Sequence, residues 1–250
     1  MLRAFADGRL FGSVTGTGTG PPRVLALHGW ARSHTDFDAV LAGDGQVPLP
    51  ALALDLPGFG ASPSPPADWG AEAYARAVGE VVGEMASPIV VLGHSFGGRV
   101  ALHLALQRPE TVQALVLTGV PLLHPTGRRR RTAPRYRLIR SLHRLRLVSD
   151  EVMERGRQRY GSADYRAATG VMRQVLVRSV EETYGAQLDA VQCPVHLIWG
   201  GDDTAAPVEV AERGLARLAH GDLTVVPGVG HLTPLLIPTE LRTAVVACLG

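Results

Sequence analysis

The sequence predicts an α/β fold: a mostly parallel sheet of about eight strands flanked by helices, interrupted once by a helical insertion. Three observations predict it. Short runs rich in valine, leucine and isoleucine alternate with segments of helical spacing, which is the rhythm of a parallel sheet covered on both faces. That rhythm stops between residues 124 and 187, where arginines accumulate and no convincing strand occurs. Turns carrying serine, aspartate and histidine follow several apolar runs, and open α/β sheets bind their ligands beyond the carboxyl ends of the strands.

Taken in order, Leu2–Phe5, Asp7-Gly8 and Arg9–Val14 predict an N-terminal β-hairpin. A glycine- and threonine-rich loop precedes Arg23–Leu27, a short buried strand that stops at His28-Gly29-Trp30. Ser33 to Leu41 has helical spacing with Ser33 as a candidate N-cap. Leu49–Leu54 predicts the next strand, followed by the turn-dense Asp55–Ser62. Gly70–Ala86 places Tyr74, Ala77, Val78, Val81 and Met85 on one helical side. A strand over Pro88–Leu92 runs into Gly93-His94-Ser95-Phe96-Gly97-Gly98 and a helix. Gln113–Thr118 and Cys193–Trp199 predict two more strands, on either side of the insertion. A helix (Pro207–Ala219), a strand (Leu223–Val226) and a C-terminal helix (Pro238–Leu249) complete the chain.

With 250 residues, 46% hydrophobic and 19% charged, the chain suits one sizeable folded domain and not a disordered segment. No apolar run approaches the roughly 18 residues that span a bilayer, and Met1–Gly8 lacks the apolar core of a signal peptide. A cytoplasmic location is therefore expected, with Cys193 and Cys248 as reduced thiols in no metal spacing. The net charge of +2 is unevenly spread. Residues 124–187 hold fifteen arginines and six acids, so the remainder holds ten arginines and seventeen acids, giving +9 and −7. There is no lysine.

The chemistry centres on Gly93-x-Ser95-x-Gly97. A strand that turns sharply into a helix at a serine lifts the hydroxyl out of the sheet, and small neighbours keep such a turn free of clashes. Because a serine hydroxyl is a weak nucleophile, it needs a base, and the base needs an orienting acid. Two strand-end segments supply them: Trp199-Gly200-Gly201-Asp202-Asp203 and Gly228-Val229-Gly230-His231.

Leu27-His28-Gly29-Trp30, Asp55-Leu56-Pro57-Gly58-Phe59-Gly60, Gly93–Gly98, Gly200-Gly201-Asp202-Asp203-x-x-x-Pro207 and Gly230-His231 stand in the order found in α/β-hydrolases. The chain resembles a serine hydrolase of that fold over nearly its whole length. The resemblance implies Ser95 as nucleophile, His231 as general base and Asp203 as the orienting acid, the spacing from Gly200 to Pro207 selecting Asp203 over Asp202. It implies the backbone N–H groups of Trp30 and Phe96 as oxyanion donors and no cofactor. It also implies a core of residues 1–123 and 188–250, with residues 124–187 as a helical lid inserted after the sixth strand.

The expected reaction is hydrolysis of a small-molecule carboxylic ester, thioester or lactone through an acyl-enzyme. C–C bond hydrolysis of a dienoate-type substrate, perhydrolase chemistry and a ligand-binding role without catalysis are alternatives on the same residues. The lid carries Arg128–Arg131, then Arg135, Arg137, Arg140, Arg144 and Arg146. This is either a solvated face or a surface for an acidic partner or anionic substrate group. A weak similarity to pimeloyl-carrier-protein methyl ester carboxylesterases, which dock an acidic carrier on lid arginines, gives the second reading a precedent. Nucleic-acid binding is not expected, since no recognition motif accompanies the arginines. Asp55, His28 and His94 are read as supports of the turns, and His196 as a core histidine within its strand. The histidines show no metal-ligand spacing, and a site for stacking aromatic substrates is not signalled, although Trp30, Phe96, Tyr136, Tyr160 and Tyr165 could line one.

Overall fold

The computed structural model describes residues 2–16, 20–124, 126, 139, 141–143, 145, 147–160 and 162–250, without the side chains of residues 150, 157, 158 and 160. All nine arginines singled out between 128 and 146, together with Tyr136 and the side chain of Tyr160, lie outside the described residues.

Eight strands form one sheet: β1 (Leu2–Phe5), β2 (Leu10–Thr15), β3 (Val24–Leu27), β4 (Ala51–Asp55), β5 (Ile89–His94), β6 (Val112–Thr118), β7 (Val195–Gly200) and β8 (Gly221–Val226). Their order is β1-β2-β4-β3-β5-β6-β7-β8. The hairpin β1–β2 and the β2–β4 pair are antiparallel, and every pairing from β4 through β8 is parallel. The chain leaves β3 toward β4 on one side and returns to place β5 on the other. This reversal opens a crevice at the carboxyl ends of β3 and β5.

Side-chain alternation along the strands builds two cores, one on each face. Leu25, Leu27, Leu52, Leu54, Val91, Leu115, Leu117, Leu197 and Trp199 pack on one face. Val24, Ala26, Ala51, Ala53, Val90, Leu92, Val116 and Ile198 pack on the other. The second face is covered by α1 (Asp38–Ala42) and the C-terminal helix Pro238–Leu249 through Val40, Leu41, Leu241 and Val245. The first is covered by α2 (Ala71–Val82), α3 (Phe96–Gln107) and the helix Val208–Leu215. Tyr74, Val78 and Val81 of α2 are fully buried as the spacing predicted, each contributing roughly 1.5–3 kcal/mol.

Between β6 and β7 come α4 (Asp150–Tyr160), α5 (Ala163–Ala167), α6 (Gly170–Glu181) and α7 (Gly185–Ala190). Then α8 is Val208–Leu215, α9 Thr233–Leu236 and α10 Pro238–Leu249.

Several expected boundaries shift. The segment after Ser33 begins as a 3₁₀ turn over His34–Phe37 before α1, and the Ser33 hydroxyl bonds Thr35 Oγ1 (2.8 Å) without capping an amide. Helix α8 stops at Leu215, four residues short of the expected end, and β8 begins at Gly221, two residues before the expected start. Helix α9 was not foreseen: Leu235 and Leu236 are exposed and Pro234 is buried, so the segment carries no helical apolar stripe.

Candidate active site

At the end of β5 the backbone turns on Ser95, which has φ 49° and ψ −111°, and α3 begins at the next residue. A non-glycine residue at positive φ costs of order 1–3 kcal/mol. It is held there by Ser95 N–H donating to Thr118 O (2.9 Å) and Gly98 N–H donating to Ser95 O (3.2 Å). The flanking glycines are required by close approach. A Cβ on Gly97 would lie 2.0 Å from Leu27 O, and one on Gly29 would lie 2.9 Å from His94 Nδ1 and 3.3 Å from Ser95 Cβ. Thus the start of α3 sits against the end of β3, and the β3 loop against the serine. Gly97→Ala is expected to destabilise the fold by more than about 3 kcal/mol, or to prevent its recovery as soluble protein, because the obstructing atoms are backbone. Urea unfolding beside the exposed, open Gly83→Ala tests this.

The three sequence-predicted side chains converge. His231 Nε2 lies 3.1 Å from Ser95 Oγ, and His231 Nδ1 lies 2.7 Å from Asp203 Oδ2. Asp203 follows β7, and its carboxylate is fully buried. Its Oδ1 accepts from the amides of Ala205 and Ala206, both at 2.8 Å. With Oδ1 so occupied, Oδ2 is aimed at the imidazole, which donates from Nδ1 and presents its Nε2 lone pair to the serine hydroxyl. The adjacent Asp202 is exposed, and its amide is tied to Val229 O (2.8 Å).

A support layer fixes the loops that carry these groups. His94, beside Ser95, donates from Nε2 to the carbonyl of His231 (2.9 Å), linking the β5 and β8 ends. Thr118 and Thr233, both fully buried, share a 2.7 Å hydroxyl bond. His28 accepts the Leu56 amide on Nε2 (3.0 Å) and donates from Nδ1 to Gly29 O (2.7 Å), tying the β3 loop to the β4 loop. Asp55 accepts from the amides of His34 (2.8 Å) and Ala61 (2.9 Å) and from His34 Nδ1 (2.8 Å). Burial pushes its carboxyl up, but these donors outweigh that and hold it below the usual range. The expected supporting geometry is present at all three residues.

His28 and His94 are both held neutral. Burial lowers His28 to about 4, and burial together with the neighbouring His231 lowers His94 to about 4. Unfolded histidine titrates near about 6.5, so between these values the unfolded chain binds protons that the folded protein refuses. Their contribution to stability is complete above about pH 6.5 and is lost as the pH falls toward about 4, by up to roughly 3 kcal/mol per histidine. The urea midpoint is expected to fall steeply from pH 7 to pH 5, and His28→Gln to flatten that slope. A pH-independent midpoint in the wild type would contradict the assignment.

The two residues expected to supply oxyanion donors stand at the start of α3 and in the loop after β3. The Phe96 amide opens α3, where the first-turn N–H groups have no intrahelical acceptor and favour negative charge. Trp30 follows Gly29, which abuts Ser95. The Trp30 ring packs edge-on against Phe59 (4.9 Å) and Phe96 (5.6 Å), so it both borders the site and closes the core. Above Ser95 lies a cavity of ≈510 Å³ whose lining includes Trp30, Arg32, Arg99, Leu176, Val180 and Leu232. Phe96 is buried beneath it, and Tyr165 sits elsewhere, 5.3 Å under the guanidinium of Arg173.

Sequence reasoning missed Arg32 and Arg99 as cavity residues. A signal for Arg99 was present, since four residues after Ser95 is one helical turn on the same side. His196 departs from expectation: it is partly exposed and paired with Asp222 (2.6 Å), because β8 is the edge strand and leaves this end of β7 open. Cys193 and Cys248 are free thiols, each raised to about 11 by burial. Among the described residues no group of three or more potential metal ligands occurs, and no helix is long and apolar enough to cross a membrane.

A profile described as "Alpha/beta hydrolase family" matches residues 24–244. A pimeloyl-[acyl-carrier protein] methyl ester esterase of Nitrosomonas europaea is 29% identical, over 90% of this chain and 94% of that protein. Lipase LipV of Mycobacterium tuberculosis is 40% identical over 100 residues, which span 40% of this chain and 37% of that lipase. A thermophilic esterase from Thermogutta terrifontis shares the fold, with a TM-score of 0.68 at 23% identity, over 98% of this chain and 95% of that one.

Proposed function

The chain belongs to the alpha/beta hydrolase family, and we propose that within it the protein is a serine hydrolase that cleaves a carboxylic ester through an acyl-enzyme. Its relatives support hydrolysis of ester bonds in general. The observation that carries the finer reading is the continuous line from Ser95 Oγ through His231 to the buried Asp203, at 3.1 and 2.7 Å.

In this reading Ser95 Oγ attacks the ester carbonyl while its proton passes to His231 Nε2. The oxyanion forms between the amides of Phe96 and Trp30, where each donor is worth about 10²–10³ in rate. Collapse breaks the bond to the alcohol oxygen, which takes the proton from His231 Nε2 and leaves. Water then repeats the sequence on the acyl-Ser95, its proton going to His231, and releases the acid. Asp203 keeps the imidazole in the Nδ1–H tautomer throughout and stabilises the imidazolium. Residues 1–123 and 188–250 supply this machinery, and residues 124–187 are the lid that shapes the substrate space.

The test is twofold. A fluorophosphonate should modify Ser95, seen as a mass increase on the peptide containing it, and p-nitrophenyl esters from acetate to dodecanoate should be turned over with one chain-length optimum. Labelling of Ser95 without ester turnover would move the proposal to C–C substrates. Absence of both would defeat it.

A further inference from the structure

We propose that Arg99 is the binding site for a carboxylate on the substrate, so that the preferred ester carries an anionic group; this rests on the serine-hydrolase reading of the same cavity. Arg99 lies four residues beyond Ser95 on α3 and lines the cavity above it. Its side chain shares the cavity lining with Ser95 and reaches the Ser179 carbonyl of α6. It is 8% exposed, and a guanidinium does not lose its proton. A permanent charge is therefore kept in a nearly water-free wall of the active site.

That charge has no anionic partner among the described residues. Nη1 donates to the carbonyl of Ser179, the guanidinium lies 5.6 Å from the ring centre of Tyr184, and Nε is buried without an acceptor. The two acids on the cavity lining do not pair with it. Glu182, also on the cavity lining, accepts from the Tyr184 hydroxyl (2.6 Å) and the Ala71 amide (3.3 Å) and faces Arg178 (3.6 Å). Asp164 is at the exposed rim. The other lining cation, Arg32, differs: it holds the buried Asp36 through two N–H bonds.

A buried cation without a counter-ion is costly unless something anionic completes it. A structural arginine would be expected to have all its donors bonded by the protein. This one donates to a last-turn carbonyl of α6 and leaves a cationic wall beside the nucleophile. A carboxylate entering with the ester would meet it with charge-assisted bonds, which favour the charged substrate by roughly 10–100-fold over a neutral one of similar shape.

Two ester pairs test this, one for each side of the scissile bond: monomethyl glutarate against methyl pentanoate, and O-butanoylglycolate against propyl butanoate. The readout is the ratio of kcat/KM, charged over neutral. At least one pair should give a ratio of about 10 or more in the wild type, expressed mainly in KM. In Arg99→Gln that ratio should fall toward 1, and in Arg99→Lys it should recover in part. A purely structural role would lower both members of a pair together and leave the ratio unchanged. If Arg99→Gln does not fold, Arg99→Lys, which keeps the charge but loses the fork, should still lower the ratio severalfold. Ratios near 1 in the wild type, or ratios that neither variant alters, would overturn the assignment while leaving ester hydrolysis standing. Failure of the wild type on all four esters and on the p-nitrophenyl series would instead remove the serine-hydrolase reading beneath it.

Discussion

Ser95→Ala is expected to lower kcat on any ester that the protein turns over by about 10⁴–10⁶ while leaving the fold intact. The size follows from the proposed role: if Oγ is the nucleophile, its removal abolishes the acyl-enzyme, and only the amide donors and substrate binding continue to assist direct attack by water. The fold should survive because alanine inherits the backbone that serine already occupies. The strain at φ 49° comes from the Cβ, which both residues have, and the clamps from Ser95 N–H to Thr118 O and from Gly98 N–H to Ser95 O are main-chain bonds. One 3.1 Å hydroxyl contact to His231 is lost, worth about 1 kcal/mol. Steady-state kinetics with thermal melting of both proteins checks the pair of statements. Activity within tenfold of wild type in a folded variant would place the nucleophile elsewhere.

Asp203→Asn is expected to cost about 10⁴ in kcat, and the reason lies in which oxygen does what. Oδ1 accepts from two amides, at Ala205 and Ala206, so an asparagine must turn its carbonyl oxygen toward them. Its NH₂ then faces His231 Nδ1, where Oδ2 now lies at 2.7 Å. A donor facing Nδ1 forces the proton of the neutral imidazole onto Nε2, toward Ser95, and the base is lost with the geometry preserved. Asp202→Asn should change kcat by no more than a few-fold, because that side chain is exposed. Measuring both variants on one ester separates the two carboxylates. Equal effects would mean that the loop as a whole, and not one carboxylate, is being perturbed.

Much of the layout was legible in the chain because it is written locally. The alternation of Leu25 and Leu27 with Val24 and Ala26, or of Val91 with Val90 and Leu92, reports a strand buried on both sides. Gly93, Gly97 and Ser95 report a turn at which only small residues fit, and the contact of a Cβ at Gly97 with Leu27 O shows why. The choice of Asp203 over Asp202 came from the resemblance, through the family's spacing between Gly200 and Pro207. The structure adds a physical ground: one carboxylate is buried with two amides on Oδ1, and the other points outward. The extent of α8, the existence of α9 and the half-open setting of His196 were not legible, since each depends on what lies across the sheet edge and not on neighbours in sequence.

By itself the sequence determined the order of the strands and of most helices, the turn at Ser95 and the strand ends that carry aspartate and histidine, because backbone preference and side-chain periodicity act over a few residues. Only the tertiary structure decided that residues 136 positions apart meet at 3.1 Å, that His94 binds the loop of His231, and that Arg99 lines the cavity with no ion-pair partner among the described residues. Such facts follow from strands placed side by side by the whole core, and no local pattern encodes the distance between two loops that the sheet brings together.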